Sequence, residues 1–149
     1  MIGDGTYMMM NSDIYSSVLA GHKMIVVVCD NAGYAVINRL QIFKGVPGFN
    51  NLLKDCRVKT PFQVDFVKHA ESMGALARRC GTLAELADAM TWAQSTDRTT
   101  VITIETDAFA WVPGDAQWDV GVPEVSDRKS VQDARESQVA IRRKQRVGV

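Results

Sequence analysis

Two short polar turns, each placed at the end of a predicted strand, constrain the fold of this chain most strongly. Gly3-Asp4-Gly5 opens the sequence, and Asp30-Asn31 follows it after twenty-four intervening residues. The run just before Asp30, residues 24–29 (MIVVVC), is continuously apolar and β-branched, which is typical of a strand buried on both faces of a parallel sheet. Parallel strands end at one edge of the sheet, where ligands bind. We therefore expect Asp4 and Asn31 to meet at that edge.

The side chains at these two turns suit a hard metal ion. Asp4 and Asn31 both offer oxygen atoms, which Mg²⁺ and Ca²⁺ prefer as ligands. Mg²⁺ usually takes only one or two protein carboxylates and completes its shell with phosphate oxygens and water. Two side chains and one backbone carbonyl would leave about three octahedral positions free. The pattern therefore favours a metal-assisted site for a diphosphate, although two ordinary strand–turn junctions with flexible glycines are the alternative.

This spacing resembles the signature of thiamine-diphosphate (ThDP) enzymes, in which Gly-Asp-Gly is followed one strand later by Asn-Asn. Asp30 stands where the family has its first Asn. The resemblance implies that Asp4, Asn31 and the backbone carbonyl of Gly33 bind Mg²⁺. It also implies that Gly3, Gly5 and Thr6 belong to the cofactor-binding turn. Gly5 and Thr6 would offer N–H groups to the diphosphate at the start of a helix, where the helix dipole favours anions.

The composition excludes several other classes of protein. The 149 residues suffice for a domain with a real core, and the formal net charge of zero gives no attraction to nucleic acid or to a membrane surface. No apolar run approaches the roughly 20 residues of a transmembrane helix, and the first residues do not show the pattern of charged, apolar and small residues that is typical of a signal peptide. The three cysteines are widely spaced, which argues against a disulfide framework or a zinc site. A cytoplasmic location is expected.

The remaining patterns alternate between helix and strand. A helix is predicted from Tyr7 to its end at Gly21, a long basic loop over residues 43–61, and a helix capped by Asp65. A short strand follows at residues 75–80, then a helix opened by the capping box at Thr82. Its predicted apolar face consists of Leu83, Leu86, Ala87 and Met90. Residues 99–106 (TTVITIET) form the last predicted strand.

This alternation predicts an α/β fold, a parallel sheet flanked by helices on both faces. The resemblance makes it the thiamine-diphosphate-binding fold. Residues 1–107 are predicted to form the pyrophosphate-binding core, and residues 108–149 a C-terminal extension with an aromatic loop and a helix starting at Ser126 or Asp127. Only Met1 and Ile2 precede the first turn, so we expect an incomplete first strand and an N-terminally truncated chain.

Residues 30–41 and 118–126 narrow the resemblance to one branch of the family, the 3D-(3,5/4)-trihydroxycyclohexane-1,2-dione hydrolases of myo-inositol catabolism. The resemblance implies ThDP- and Mg²⁺-dependent hydrolysis of a carbon–carbon bond in a small, polyol-derived cyclic 1,2-diketone, which yields 5-deoxyglucuronate. Asn38, Arg39 and Gln41 are candidate polar substrate contacts, and a solvated helix face is the alternative.

In this family, the glutamate that activates the cofactor comes from the pyrimidine-binding domain of a second subunit, so a homodimer or homotetramer is implied. No residue here matches that glutamate. Asp13, Glu105 and Asp107 stay unassigned, and the chain alone is expected to be inactive. Two alternatives remain open: another ThDP enzyme, such as an acetolactate synthase-like carboligase or a 2-oxoacid decarboxylase, and a non-catalytic assembly module.

Overall fold

The computed structural model describes residues 1–60, 62–112 and 121–145. Its centre is a parallel sheet of four strands in the order β1-β2-β4-β3. The strands are β1 (Ile2–Gly3), β2 (Ile25–Asp30), β3 (Leu76–Cys80) and β4 (Thr100–Glu105). The predicted parallel α/β sheet is therefore confirmed, with all four strands ending at one edge.

Helices connect and cover these strands. They are α1 (Asp4–Met9), α2 (Ser12–Ala20), α3 (Ala35–Phe43), α4 (Phe66–Ser72), α5 (Leu83–Ser95) and α6 (Lys129–Lys144), with a 3₁₀ turn at Leu53–Asp55. The single helix predicted after the first turn is in fact α1 and α2. The break falls at Met10, where the side-chain amide of Asn11 donates to the carbonyl of Met8 at 3.1 Å, because Asn competes with regular helical hydrogen bonding.

The register of the first two strands positions the predicted site. Ile2 pairs with Val28, and Gly3 pairs with Cys29. The residues that follow, Asp4 in one chain segment and Asp30 in the other, therefore emerge at neighbouring points on the same edge of the sheet. This edge is the carboxyl end of the parallel strands, where open α/β sheets bind their ligands.

One face of the sheet packs against α1, α2 and α4. Tyr7 and Ile14 from the first two helices and Phe66 from α4 lie with Val28 and Val101 in one buried cluster. Tyr7 is the largest fully buried side chain among the described residues. Because Tyr7 follows Asp4 in the same short helix, its burial fixes that helix to the sheet directly beside the predicted site.

The other face packs against α5. Ala89 and Ala93 are buried there against Val27 and Ile102. The predicted apolar face of this helix is partly wrong, because Leu83 is 79% exposed and Ala87 is exposed as well. Buried or half-buried positions instead begin at Leu86 and recur one helical turn apart. The sheet is nonetheless flanked by helices on both faces, as predicted.

The long predicted loop is tied to the turn after β2. The backbone N–H of Tyr34 donates to the carbonyl of Asn51 at 2.7 Å, and Gly33 forms an isolated antiparallel bridge with Leu52. The side chain of Gln41 accepts a hydrogen bond from Asn51 at 2.7 Å. The loop therefore forms one wall of the region around the turn. Pro61 lies outside the described residues.

The helix near the C-terminus begins at Lys129, close to the predicted start. The Ser126 hydroxyl accepts from the backbone N–H of Arg128 at 3.1 Å. Gln138 is buried and accepts from the N–H of Val122 at 3.2 Å. Trp118 and the rest of residues 113–120 in the predicted aromatic loop lie outside the described residues. In the parts of the chain that the structure describes, no helix has the length and apolar character needed to cross a membrane.

Candidate functional site

Asp4 stands at the junction of β1 and α1 and reaches the turn after β2. Its side chain is buried, with 6% of the residue exposed. Its Oδ2 atom accepts a hydrogen bond of 2.8 Å from the backbone N–H of Gly33. The structure thus brings together the two turns that the sequence analysis singled out, because parallel pairing of β1 with β2 places their ends side by side.

Two buried oxygen atoms at this junction lack a hydrogen-bond partner among the described residues. They are Oδ1 of Asp4 and Oδ1 of Asn31. Leaving a buried polar atom unpaired costs about 1–3 kcal/mol, and more for a charged group. Such atoms in a native fold point to a missing water or ion. An oxygen from a carboxylate and one from an amide form a donor set that Mg²⁺ accepts, so these residues fit the metal that the sequence resemblance implies.

The turn that carries Asn31 is fixed from both sides. Oδ1 of Asp30 accepts from the backbone N–H of Ala32 at 3.0 Å, and the Ala32 carbonyl accepts from the N–H of Leu53 at 2.9 Å. Ala32 has a φ of 59°, which a non-glycine residue rarely adopts. The neighbouring Gly33 is required by space as well as by its φ of 151°, because an added Cβ would lie 2.4 Å from the carbonyl oxygen of Asn51.

The charges at the site disfavour an ionised Asp4 in the absence of a cation. Burial raises the pKa of the Asp4 carboxyl, and the nearby carboxylate of Asp30 raises it further. The backbone N–H groups of Gly33 and Gly5 act in the opposite direction but are outweighed. A bound divalent cation would reverse this balance, because an adjacent positive charge favours the carboxylate.

A cavity of about 190 Å³ opens beside these groups. Its lining includes Asp4, Asp30, Gly33, Tyr34, Phe62 and Gln63. Gly5 lies in its wall, where the ring of Tyr34 approaches so closely that an ideal Cβ on residue 5 would be 2.5 Å from a ring carbon. The absence of a side chain at residue 5 therefore lets the aromatic ring pack against the start of α1.

The other two predicted members of the first turn are less constrained. Gly3 has ordinary extended backbone angles, and an added Cβ would meet no atom within 4 Å. Thr6 is exposed in the first turn of α1. The N–H groups of a first helical turn have no partner within their helix, so Gly5 and Thr6 occupy positions from which such groups could serve an anion. Their role as cofactor-binding residues stays a prediction.

The sequence analysis assigned no role in the site to Asp30, Tyr34 or Gln63. Asp30 is buried and its Oδ2 accepts from Nε2 of Gln63 at 3.0 Å, and Tyr34 forms the wall beside Gly5. Asp30 could have been found, since an Asp that follows a strand commonly hydrogen-bonds the backbone two residues on. Gln63 could not, because its partner is distant in the sequence and the segment around it has no regular pattern.

Of the candidate substrate contacts on α3, Arg39 and Gln41 hydrogen-bond other parts of the chain, and Asn38 is buried with its Oδ1 atom unpaired among the described residues. Asn38 is only 1% exposed, so the interpretation as a solvated helix face is wrong for this residue. Gln41 bonds the loop through Asn51 and Pro47. The Arg39 guanidinium lies over the ring of Trp111, 5.0 Å from its centroid, and donates to the carbonyl of Val112 at 3.3 Å.

Comparisons with known proteins identify the family to which this chain belongs. Residues 1–104 match the family described as "Thiamine pyrophosphate enzyme, C-terminal TPP binding domain". A 3D-(3,5/4)-trihydroxycyclohexane-1,2-dione hydrolase from Bacillus velezensis is 34% identical over 142 residues, covering 92% of this chain and 22% of the relative. The enzyme of the same description from Bacillus subtilis is 33% identical over an equal length. The chain thus spans about a fifth of the length of the curated relatives it matches.

Solved structures show the same fold. The benzoylformate decarboxylase from Polynucleobacter necessarius superposes with a TM-score of 0.62 and 26% identity, over 72% of this chain and 19% of that one. The thiamine diphosphate-dependent 4-hydroxybenzoylformate decarboxylase from Rhodococcus jostii RHA1 gives a TM-score of 0.57 at 18% identity, covering 71% of this chain and 19% of that one, which is a likeness of fold.

Proposed function

Because this chain belongs to the family of C-terminal TPP-binding domains of thiamine pyrophosphate enzymes, we propose that it anchors ThDP and Mg²⁺ in an enzyme that hydrolyses a cyclic 1,2-diketone. The observation behind the anchoring role is the Asp4–Gly33 hydrogen bond, together with the unpaired buried oxygens of Asp4 and Asn31. In this proposal, Asp4, Asn31 and the Gly33 carbonyl hold the metal. Gly3, Gly5 and Thr6 form the turn that receives the diphosphate.

The chain's own residues have two tasks in this proposal. They bind the metal–diphosphate group at the end of the sheet, and they shield it with the wall formed by Tyr34, Phe62 and Gln63. Bound ThDP would supply a nucleophilic carbon for attack on a substrate carbonyl. Asp4 would bind the metal as a carboxylate, so metal binding at acidic pH would displace the proton that burial favours.

The specific reaction is proposed from the relatives. Those at 33–34% identity are described as 3D-(3,5/4)-trihydroxycyclohexane-1,2-dione hydrolases, which supports carbon–carbon bond hydrolysis of that substrate class in inositol catabolism. We also propose a cytoplasmic, oligomeric enzyme in which the pyrimidine-binding domain of a second subunit completes the site. The activity belongs to the longer protein, and the isolated chain is expected to give no turnover.

A 2-oxoacid decarboxylase is the second candidate, favoured by the superposition with the benzoylformate decarboxylase at 26% identity. The two candidates separate on a substrate panel given to a longer protein that contains this chain and a pyrimidine-binding domain. Turnover of the cyclic dione would support the hydrolase. Turnover of benzoylformate or pyruvate without turnover of the dione would replace it with the decarboxylase.

The anchoring role is tested by calorimetric titration of ThDP into the chain with and without Mg²⁺. Asp4→Ala is the variant that removes the metal ligand, and Asp97→Asn is a control at an exposed carboxylate. We expect metal-dependent binding that Asp4→Ala abolishes and the control retains. Circular dichroism on the same samples establishes folding, and a folded wild-type chain that does not bind would contradict the role proposed for Asp4 and Asn31.

A further inference from the structure

A second cavity lies next to the cofactor turn. It has a volume of about 310 Å³ and shares Ala32 with the cavity that contains Asp4. Among the described residues, its polar lining is formed by the side chains of Asn31, Lys54 and Asp107, and its apolar lining includes Phe109. A cavity that combines an apolar surface with a few convergent polar groups is the usual form of a small-molecule site.

The backbone fixes Lys54 beside the turn. The preceding residue, Leu53, donates its N–H to the carbonyl of Ala32 at 2.9 Å, and the N–H of Asp55 donates to the carbonyl of Leu52 at 2.9 Å. The ammonium group of Lys54 then lies 4.4 Å from the centroid of the Phe109 ring. This is a cation–π distance, so the ammonium and the ring are held as a pair.

Asp107 is fixed relative to the same ring. Its Oδ1 atom accepts a hydrogen bond of 2.8 Å from the backbone N–H of Phe109. This local bond sets the orientation of the carboxylate against the ring that follows it. The sequence analysis left Asp107 without a role, and the structure places it in one cavity with Asn31 and Lys54.

The residues that line this second cavity favour one chemical class of ligand over others. Lys54 offers hydrogen-bond donors and Asp107 offers acceptors, and their opposite charges cancel, so the pair does not favour a net anion or cation. The part of the Phe109 ring that the Lys54 ammonium does not cover is apolar and would accommodate the C–H face of a saturated ring. Hydroxyl groups around such a ring both donate and accept, which matches a carboxylate and an ammonium placed together.

We propose that Lys54, Asp107 and Phe109 form the subsite that binds the hydroxylated ring of the substrate. The inference rests on the proposed function, and it assigns the polyol part of the substrate to these three residues. In this arrangement Asp107 accepts from ring hydroxyls, Lys54 donates to them, and Phe109 supports the C–H face. The adjacent Asn31 would place the bound ring next to the metal–diphosphate site.

The test uses myo-inositol as a stable cyclic polyol and the 149-residue chain. Saturation-transfer NMR measures inositol binding, with and without ThDP and Mg²⁺, in the wild type and in the variants Lys54→Met and Asp107→Asn. Lys68→Met and Asp97→Asn are matched controls at exposed positions outside the cavity. We expect Lys54→Met and Asp107→Asn each to weaken inositol binding about tenfold, the loss of one hydrogen bond to a charged group. Lys54→Arg keeps the charge and is expected to retain binding.

Two results would overturn the subsite. Inositol binding that is absent, or equal in all variants, would exclude it. Pyruvate binding that displaces inositol and strengthens in Asp107→Asn would identify an anion site instead. Calorimetry of ThDP on the same samples is expected to stay within about twofold of wild type. Because inositol binding is also measured without cofactor, failure of ThDP to bind would count against the proposed function while the inositol result still decides the subsite.

Discussion

The backbone N–H of Gly33 donates to Oδ2 of Asp4 across 2.8 Å, and this bond joins the ends of two neighbouring strands. It occupies one carboxylate oxygen of Asp4 and leaves the other, Oδ1, buried without a partner among the described residues. One oxygen therefore fixes the orientation of the side chain while the other is available to a ligand. The first prediction follows from this division.

Replacing Asp4 with asparagine is expected to weaken metal-dependent ThDP binding and to stabilise the metal-free fold. The introduced amide oxygen can still accept from Gly33, but the metal-binding charge is lost, so metal-dependent ThDP binding should fall more than about 100-fold. Burial raises the pKa of Asp4, so the folded state binds the proton more tightly than the unfolded state. The wild type therefore loses stability as the pH rises through the raised pKa.

Without metal, we expect Asp4→Asn to be more stable than the wild type at neutral pH, and this advantage to shrink as the solution is acidified toward the unfolded-state pKa. Urea unfolding at a series of pH values measures the difference. With ThDP and Mg²⁺ present, the order should invert, because only the wild type gains ligand stabilisation. A variant that is less stable than wild type at neutral pH without metal would contradict the electrostatic account.

Gly33 and Gly3 should differ in how much stability the chain loses when each is replaced by alanine. Gly33→Ala places a Cβ against the carbonyl of Asn51 at a positive φ, so we expect a loss of about 3 kcal/mol or more in the free energy of unfolding. Gly3→Ala is the matched control, because its Cβ would meet open space, and it should cost less than about 1 kcal/mol. Chemical denaturation measures both losses in the free energy of unfolding. Equal losses would show that the close approach of residue 33 to the Asn51 carbonyl does not cause the destabilisation.

Gly5 and Tyr34 should be energetically coupled. Gly5→Ala would force the Tyr34 ring away from the start of α1, which should destabilise the chain by about 1–3 kcal/mol. In a Tyr34→Ala background the same substitution should stabilise by up to about 1 kcal/mol, since Ala is the better helix former. A double-mutant cycle measures the coupling, and additive effects would mean that the ring does not restrict residue 5.

The buried phenol of Tyr7 should make the stability of the fold depend on pH in the alkaline range. Burial raises the pKa of its phenol to about 12, and its hydroxyl is hydrogen-bonded to Nδ1 of His69 at 3.0 Å. The folded state holds this proton more tightly than the unfolded state, so Tyr7 contributes stability below about pH 10 that is lost as the pH rises toward about 12. Ultraviolet titration of the folded chain should show a tyrosine ionising near pH 12.

Tyr7→Phe should remove that late ionisation and cost about 1 kcal/mol at neutral pH through the lost hydrogen bond. Tyr15→Phe is a suitable control, since Tyr15 is 52% exposed on α2. An unchanged titration curve in Tyr7→Phe would show that another group is responsible.

The features that were predicted best are the helix caps and the strand bounds, which residues close together in the chain determine. The caps at Asp65 and Thr82 form as expected, with side-chain bonds to the N–H groups of Lys68 and Glu85. The strand predicted at residues 99–106 is β4, one residue shorter at each end. These features depend on residues close in the chain, whose types carry the information.

Features that depend on distant partners could not be predicted. The bond between Gln63 and Asp30 joins residues 33 apart in the chain, and the pairing of Lys54 with Phe109 requires the loop and the end of β4 to converge. The face of α5 was misplaced because Leu83 suits a helix at a buried or an exposed position, and only its packing against the sheet decides which positions are covered. The pairing of Asp4 with the second turn was accessible because strand topology dictates it.

The short pairing between β1 and β2 affects the local stability of the sheet beside the site. This edge strand pairs with β2 at only two positions, Ile2 and Gly3, whereas β2 pairs with β4 along its whole length. Amide hydrogen exchange at the β1 edge should therefore proceed by local opening, while exchange between β2 and β4 requires global unfolding. A ligand that binds both Asp4 and Asn31 would hold β1 against β2. Ligand binding and the pairing of these two strands would therefore be thermodynamically coupled.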